Sequence, residues 1–138
     1  MTSPPDDVDF LTVHDELQIA DSVLPQVIVG DVGLLESAVA RPMTFVFGTD
    51  AYPEFVEKAA ALMHSLARNH ALLDGNKRLA WAATRIFCLM NGRDLVLSVD
   101  EAEQMVLAVA AGDLDVPELA ETLRAHRIDA DGDEQSTL

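Results

Sequence analysis

Positive charge, cysteine and long apolar runs are all scarce in this chain of 138 residues. Nine Lys and Arg residues are set against 24 Asp and Glu residues, which leaves a formal net charge of −15 at pH 7. Contacts from basic side chains to phosphates dominate nucleic-acid affinity. This charge balance therefore excludes a typical DNA-binding surface, and we expect no direct DNA binding.

The single cysteine, Cys88, excludes an internal disulfide, and its apolar neighbours predict a small core residue. Arg85 interrupts the longest apolar run, which falls well short of the roughly 20 residues that a membrane-spanning helix needs. Asp6, Asp7 and Asp9 lie where a signal peptide would carry basic and then apolar residues. We therefore expect a cytoplasmic protein with no membrane contact.

The length and a hydrophobic content of 49% are typical of one globular domain. Residues 1–128 are expected to form this domain, and residues 129–138 a flexible acidic tail. Apolar spacing and capping signals predict a nearly all-α fold. The predicted helices cover about 11–20, 32–40, 53–69, 76–90, 98–111 and 115–126.

Two short extended segments are also predicted, at 44–47 before Gly48 and at 94–99. The helix over 76–90 is apolar nearly all round, which predicts that it is the central buried helix of a bundle. Ser98 with Glu101, and Asp115 with Glu118, show the three-residue spacing of a capping box at two helix starts.

The most informative feature is a run of nine residues that leads onto the helix over 76–90, namely His70-Ala71-Leu72-Leu73-Asp74-Gly75-Asn76-Lys77-Arg78. A helix N-terminus presents free backbone N–H groups and the positive end of the helix dipole, so anions bind there. Gly75 would let the backbone approach a ligand closely. Asn76, Lys77 and Arg78 add donors and positive charge, which predicts a phosphate site.

Two further side chains in the run have chemistry that suits phosphate transfer. His70 could take a proton from an attacking hydroxyl near neutral pH. Asp74 could hold a divalent metal through oxygen or cap the helix, and the two roles are compatible. Arg68 precedes His70 by two residues, where it would add positive field or remain a solvated cation at a helix end.

The nine-residue run resembles the signature of the Fic/Doc superfamily, which has His, apolar-rich positions, an acid, Gly or Ala, Asn, Gly or Lys, and Arg. Lys77 is similar to the Doc (death-on-curing) branch, because Fic adenylyl-transferases have Gly there and a second Arg where this chain has Trp81. The resemblance extends over roughly residues 8–126 and includes the segment 33–42. Leu72 replaces the family's Phe, a change expected to alter packing more than chemistry.

The resemblance implies a Fic/Doc-type helical bundle and a role for each residue of the run. His70 would be the general base, and Asp74 would orient Mg²⁺ or the attacking hydroxyl. Gly75 and Asn76, through their backbone and the Asn76 side chain, would line an anion hole. Lys77 and Arg78 would bind the nucleotide phosphates, with Arg68 adding positive field.

The resemblance also implies a function. In Doc proteins the Lys is associated with a reversed ATP, whose γ-phosphate meets a Ser or Thr hydroxyl of a target protein. The expected protein is then a toxin kinase that arrests translation, with elongation factor Tu as its target and a cognate antitoxin as its partner. Two alternatives remain open, namely a Fic-type protein adenylyl-transferase and a catalytically inactive interaction module on the same fold.

Overall fold

The computed structural model describes residues 7–129 and shows a mostly helical domain, as the sequence predicts. Two short antiparallel sheets accompany the helices, one formed by strands β1 (Phe45–Val46) and β2 (Thr49–Asp50), and one by β3 (Arg93–Leu95) and β4 (Arg127–Asp129). A 3-10 turn covers Arg41–Met43. The helices are α1 (Val13–Val23), α2 (Val32–Ala40), α3 (Phe55–Arg68), α4 (Asn76–Met90), α5 (Val99–Ala111) and α6 (Val116–His126).

Local capping explains why most of these helices begin where they do. Ser98 and Glu101 form the predicted capping box of α5, and the Asp115 box likewise begins α6. Asp31 caps α2 through its carboxylate, which accepts from the Gly33 N–H at 2.9 Å. Thr12 forms an unpredicted box at the start of α1, so this helix lies two to three residues later than the spacing of apolar residues suggests.

The central helix of the bundle is α3, and the prediction that it would be α4 is wrong. Eleven of the 14 residues of α3 are buried, against seven of 15 in α4. Helix α3 packs against α2, α4, α5 and α6. Its small alanines, Ala59, Ala60, Ala61 and Ala67, let these neighbours approach closely, whereas α4 leaves Ile86, Leu89 and Met90 exposed at its far end.

The two sheets tie outlying segments to this bundle. Lys58 of α3 is buried and pairs with Asp50 of β2 at 3.2 Å, which anchors the β1–β2 hairpin. Strand β4 places Arg127, Ile128 and Asp129 opposite Leu95, Asp94 and Arg93. The predicted tail boundary at 129 is therefore wrong for Asp129, whose strand pairing fixes it, while residues 130–138 lie outside the described part of the chain.

Two predictions from scarce features concern the core and the membrane. Cys88 is buried in the core as expected, and burial raises the pKa of its thiol to about 12. Within residues 7–129, no helix is long and apolar enough to cross a lipid bilayer.

Candidate active site

The nine-residue run connects the C-terminus of α3 to the N-terminus of α4. Helix α3 ends at Arg68, and His70 then adopts a left-handed conformation with φ of +54°. This conformation costs free energy for a residue other than glycine, and such strain is concentrated at functional sites. The turn leaves the His70 side chain exposed, where it lines a cavity of about 800 Å³.

The loop between α1 and α2 holds the run in place. The Ala71 carbonyl accepts from the N–H groups of Gly30 and Asp31 at 2.9 and 3.1 Å, and the Leu73 N–H donates to the Ile28 carbonyl at 3.0 Å. A β-bridge between residues 29 and 72 lies between these contacts. This loop therefore fixes the backbone of residues 71–73 before any ligand binds, which favours precise positioning of a reacting group.

The Asn76 side chain closes the run onto α4. Its Oδ1 accepts from the Leu72 N–H and its Nδ2 donates to the Leu72 carbonyl, both at 2.9 Å. Asn76 also lines the His70 cavity, so its part in an anion hole stays a prediction, and the two bonds to Leu72 fix the orientation of its amide. Leu72 is only 2% exposed, which agrees with the expectation that it is a packing position.

We expect Asn76→Ala to destabilise the fold, because it leaves the buried N–H and carbonyl of Leu72 without partners. Each unsatisfied group costs about 1–3 kcal/mol, so the two together are expected to lower the unfolding free energy by roughly 2–6 kcal/mol. Urea denaturation followed by circular dichroism measures it. Asn69→Ala is the matched control, because it removes a half-buried amide that makes no comparable hydrogen bonds within residues 7–129. Equal losses of unfolding free energy in both variants would contradict a stabilising role for the Asn76–Leu72 hydrogen bonds.

Gly75 is required by packing and by backbone conformation. Its φ is +90°, and a Cβ there would come within 2.6 Å of the Leu24 side chain. Leu24 therefore fills the space on the side where a Cβ would lie, while Gly75 itself lines the His70 cavity, and the predicted approach of its backbone to a ligand stays a prediction.

The N-terminus of α4 is left open. Gly75 is the N-cap residue of α4, and it has no side chain that could accept a hydrogen bond from the helix. The first backbone N–H of α4 with a backbone partner is that of Leu79, which donates to the Gly75 carbonyl at 2.9 Å. Asp74 does not cap the helix; its Oδ1 accepts from the Gly75 N–H at 2.9 Å. The free N–H groups and the helix dipole therefore remain available to an anion.

Lys77 and Arg78 are exposed on the wall of the His70 cavity. Five of the nine basic residues have a carboxylate within 4.0 Å, namely Lys58, Arg85, Arg93, Arg124 and Arg127. Within residues 7–129, neither Lys77 nor Arg78 has such a partner. In a chain with this excess of acids, two unpaired neighbouring cations make a local attraction for anions.

Arg68 lies elsewhere, so the structure does not bring it to the His70 cavity. Its guanidinium lies against Gly112 at the end of α5, where a Cβ would meet Nη1 at 2.9 Å. Arg68 lines a second cavity with Arg41 and His64. A cation near the last carbonyls of a helix interacts favourably with the negative end of the helix dipole. The position of Arg68 therefore agrees with the alternative role of a cation at a helix end.

His64 in that second cavity is held neutral. Arg41 Nη1 donates to its Nδ1 at 2.9 Å. Burial and then the charges of Arg41 and Arg68 lower the pKa of His64, which outweighs the opposing effect of Asp115. His64 lines this second cavity and is not among the residues of the candidate active site.

Asp74 is the carboxylate that fits a metal in the His70 cavity. It is exposed on the cavity wall, and its Oδ2 makes no hydrogen bond within residues 7–129. No group of three or more His, Cys, Asp or Glu side chains able to hold a metal occurs in the described part of the chain. The site therefore fits Mg²⁺ only in the manner in which one carboxylate and the substrate phosphates share the ion.

The sequence did not indicate the remaining walls of the cavity. Helix α5 contributes residues at helical spacing, and the loop before α2 contributes four more, at positions 24, 25, 26 and 28. The spacing along α5 is a signal that a sequence contains, but it is also the spacing of an ordinary core-facing stripe. The α5 residues that line the cavity are Val99, Ala102, Glu103, Val106 and Leu107.

One cavity of this protein is thus lined by a histidine, by two cations without a carboxylate partner within residues 7–129, and by the uncapped N-terminus of α4. The sequence model of the Fic/DOC family matches residues 5–88, more than half of the chain, and the chain belongs to this family. Over 97 residues it is 54% identical to a protein named Toxin Doc from Mycolicibacterium smegmatis. That alignment covers 69% of this chain and 75% of the relative, and it confirms the predicted likeness to the Doc branch.

Proposed function

We propose that this protein is the toxin of a toxin–antitoxin system and transfers the γ-phosphate of ATP to a Ser or Thr hydroxyl of a target protein. The proposed target is elongation factor Tu, and the proposed outcome is arrested translation in the cytoplasm. The observation that carries the proposal is the cavity in which His70 accompanies Lys77 and Arg78 at the open end of α4. The likeness to a protein named Toxin Doc supports the toxin and its antitoxin partner.

The proposed reaction assigns one task to each group. His70 takes the proton of the target hydroxyl. The oxygen of that hydroxyl forms a bond to the γ-phosphorus, and the bond between this phosphorus and the ADP oxygen breaks, so that ADP leaves. The open N–H groups of α4, with Lys77 and Arg78, hold the phosphate oxygens and stabilise the charge that develops. Asp74 would hold Mg²⁺, which when bound neutralises phosphate charge.

Lys77 supports a kinase over an adenylyl-transferase. Its ammonium is a point charge on a long flexible stem, whereas Gly would leave the helix start open to a diphosphate. A nucleotide that meets this cation is expected to present its terminal phosphate to His70. The α-phosphate would then be too far from the target hydroxyl to react.

The choice of transferred group can be tested with labelled ATP. Purified protein is incubated with cell extract and ATP labelled at either the γ or the α position, and the labelled protein bands are compared. We expect label from the γ position only. Lys77→Gly should weaken γ-transfer by about tenfold or more, because a cation is lost where charge develops.

The control for that variant is Arg85→Gln, which removes an exposed cation from the same helix that is paired with Asp94 instead of lining the cavity. Label transferred only from the α position would favour the adenylyl-transferase alternative. Absence of transfer from both positions, with folded protein and intact target, would favour the inactive interaction module.

A further inference from the structure

The His70 cavity has an apolar end beyond its cations. Trp81 lies three residues after Arg78 and four after Lys77, so it shares their face of α4 about one turn further along. Its ring is half-buried in the cavity wall. A ligand held by Lys77 and Arg78 would reach this ring with its next chemical group.

Helix α5 supplies an apolar wall to the same cavity. Ala102 and Val106 are buried, but Val99 is 85% exposed and Leu107 is 45% exposed. Both side chains offer apolar surface on the cavity wall that a bound ligand could cover. The cavity therefore suits a ligand with an anionic end and a flat apolar end.

Charge also distinguishes the two ends. Glu103 is the only charged residue that α5 contributes to the cavity wall within the described part of the chain. Its carboxylate repels phosphate and accepts hydrogen bonds from N–H or O–H donors. The cavity's other carboxylate, Asp74, lies beside Lys77 and Arg78 in the chain, whereas α5 contributes no cation to the wall, so phosphates favour the start of α4 over α5.

We propose that the Trp81 ring stacks on the base of the bound nucleotide and that Glu103 fixes the direction of the nucleotide by excluding phosphate from the α5 end. This inference rests on the proposed function, which requires that the cavity bind a nucleotide. In a nucleotide, the ribose separates the phosphates from the base by about the length of one helical turn, which is the separation of Trp81 from Lys77 and Arg78 along α4. Aromatic stacking accepts any base, so Trp81 contributes affinity and Glu103 contributes orientation.

Trp81 is the only tryptophan of the chain, so intrinsic fluorescence reports on this position alone. We expect ATP to quench the fluorescence of the full-length protein. Inorganic tripolyphosphate should displace ATP while causing little quenching of its own, because it fills the cationic end only. Both affinities are also measured by calorimetry, which does not depend on the tryptophan.

Two variants separate stacking from packing. Trp81→Leu should weaken ATP binding by about fivefold or more and leave tripolyphosphate binding unchanged, whereas Trp81→Phe should keep most of the ATP affinity.

Glu103→Gln should strengthen tripolyphosphate binding by a few fold. Asp100→Asn, which removes the same charge from α5 outside the cavity, should leave it unchanged.

The outcomes that overturn the inference differ from those that overturn the proposed function. If Trp81→Leu left both affinities unchanged while tripolyphosphate still bound, base stacking would be wrong and the apolar wall would be left to a peptide of a partner protein. If neither ATP nor tripolyphosphate bound the folded protein, the proposed nucleotide chemistry would fail and stacking with it.

Discussion

Induced expression of this protein without an antitoxin is expected to arrest bacterial growth, and His70→Ala is expected to relieve the arrest. A positioned general base contributes about 10²- to 10⁴-fold to rate, so transfer by the variant should fall by that factor. The measurements are growth after induction and the initial rate of label transfer in extract. The exposed position of His70 on the cavity wall predicts that the variant folds.

The left-handed backbone at His70 complicates a simple alanine test, since Ala adopts that conformation less readily. His70→Asn is therefore the better variant, because Asn tolerates the conformation and cannot act as a base near neutral pH. His14→Ala, which removes an exposed histidine from α1, is the control and should retain activity. A folded His70→Asn protein that still arrests growth would exclude His70 as the base.

A second large effect is expected from Glu16, a buried carboxyl in the core side of α1. The residue is 0% exposed, and among residues 7–129 neither of its carboxyl oxygens has a hydrogen-bond partner. Burial raises its pKa from 4.5 to about 8, so the folded protein holds it as a neutral acid at pH 7. The unfolded chain releases that proton at a much lower pH.

The sign of the pH effect follows from this difference in proton binding. Between the two pKa values the folded state binds more protons than the unfolded state, so stability falls as pH rises through this window. At about 1.4 kcal/mol per pH unit, the loss from Glu16 between pH 4.5 and 7 is about 3 kcal/mol. The loss should continue to about pH 8 and then level off.

Replacement of the carboxyl isolates its contribution from all other titrating groups. Glu16→Gln should flatten the dependence of unfolding free energy on pH, and Glu16→Leu should also raise stability at pH 8 by several kcal/mol, since an apolar side chain suits the site. Urea denaturation at pH 5 and pH 8 measures both. If the native protein and Glu16→Gln lost equal stability between these pH values, the carboxyl would not be buried as described.

Helix positions were predictable because capping signals are local. Ser98 with Glu101, and Asp115 with Glu118, specify helix starts through contacts three residues apart, and both boxes form. The placement of the nine-residue run at the start of α4 was predictable for the same reason. The identity of the central helix was not predictable, because the burial of a helix depends on all the elements that pack against it. The polar residues of α3 gave no indication that most of this helix is buried.

The candidate site was predictable in its residue types more than in their contacts. Lys77 and Arg78 line one cavity together with His70. The contacts of Ala71 and Leu73 with the loop at residues 28–31 were not predictable, since the partners are about 40 positions apart in the chain. Arg68 is close to His70 in sequence, yet the end of α3 directs it to Gly112.

The contact between Leu24 and Gly75 has a consequence for how this protein can change through evolution. Any residue larger than Gly at position 75 collides with the Leu24 side chain unless position 24 becomes smaller or moves. The two positions, 51 residues apart in the chain, are therefore expected to accept substitutions as a pair. Among descendants of this sequence, an Ala at position 75 should be accompanied by a smaller residue at position 24.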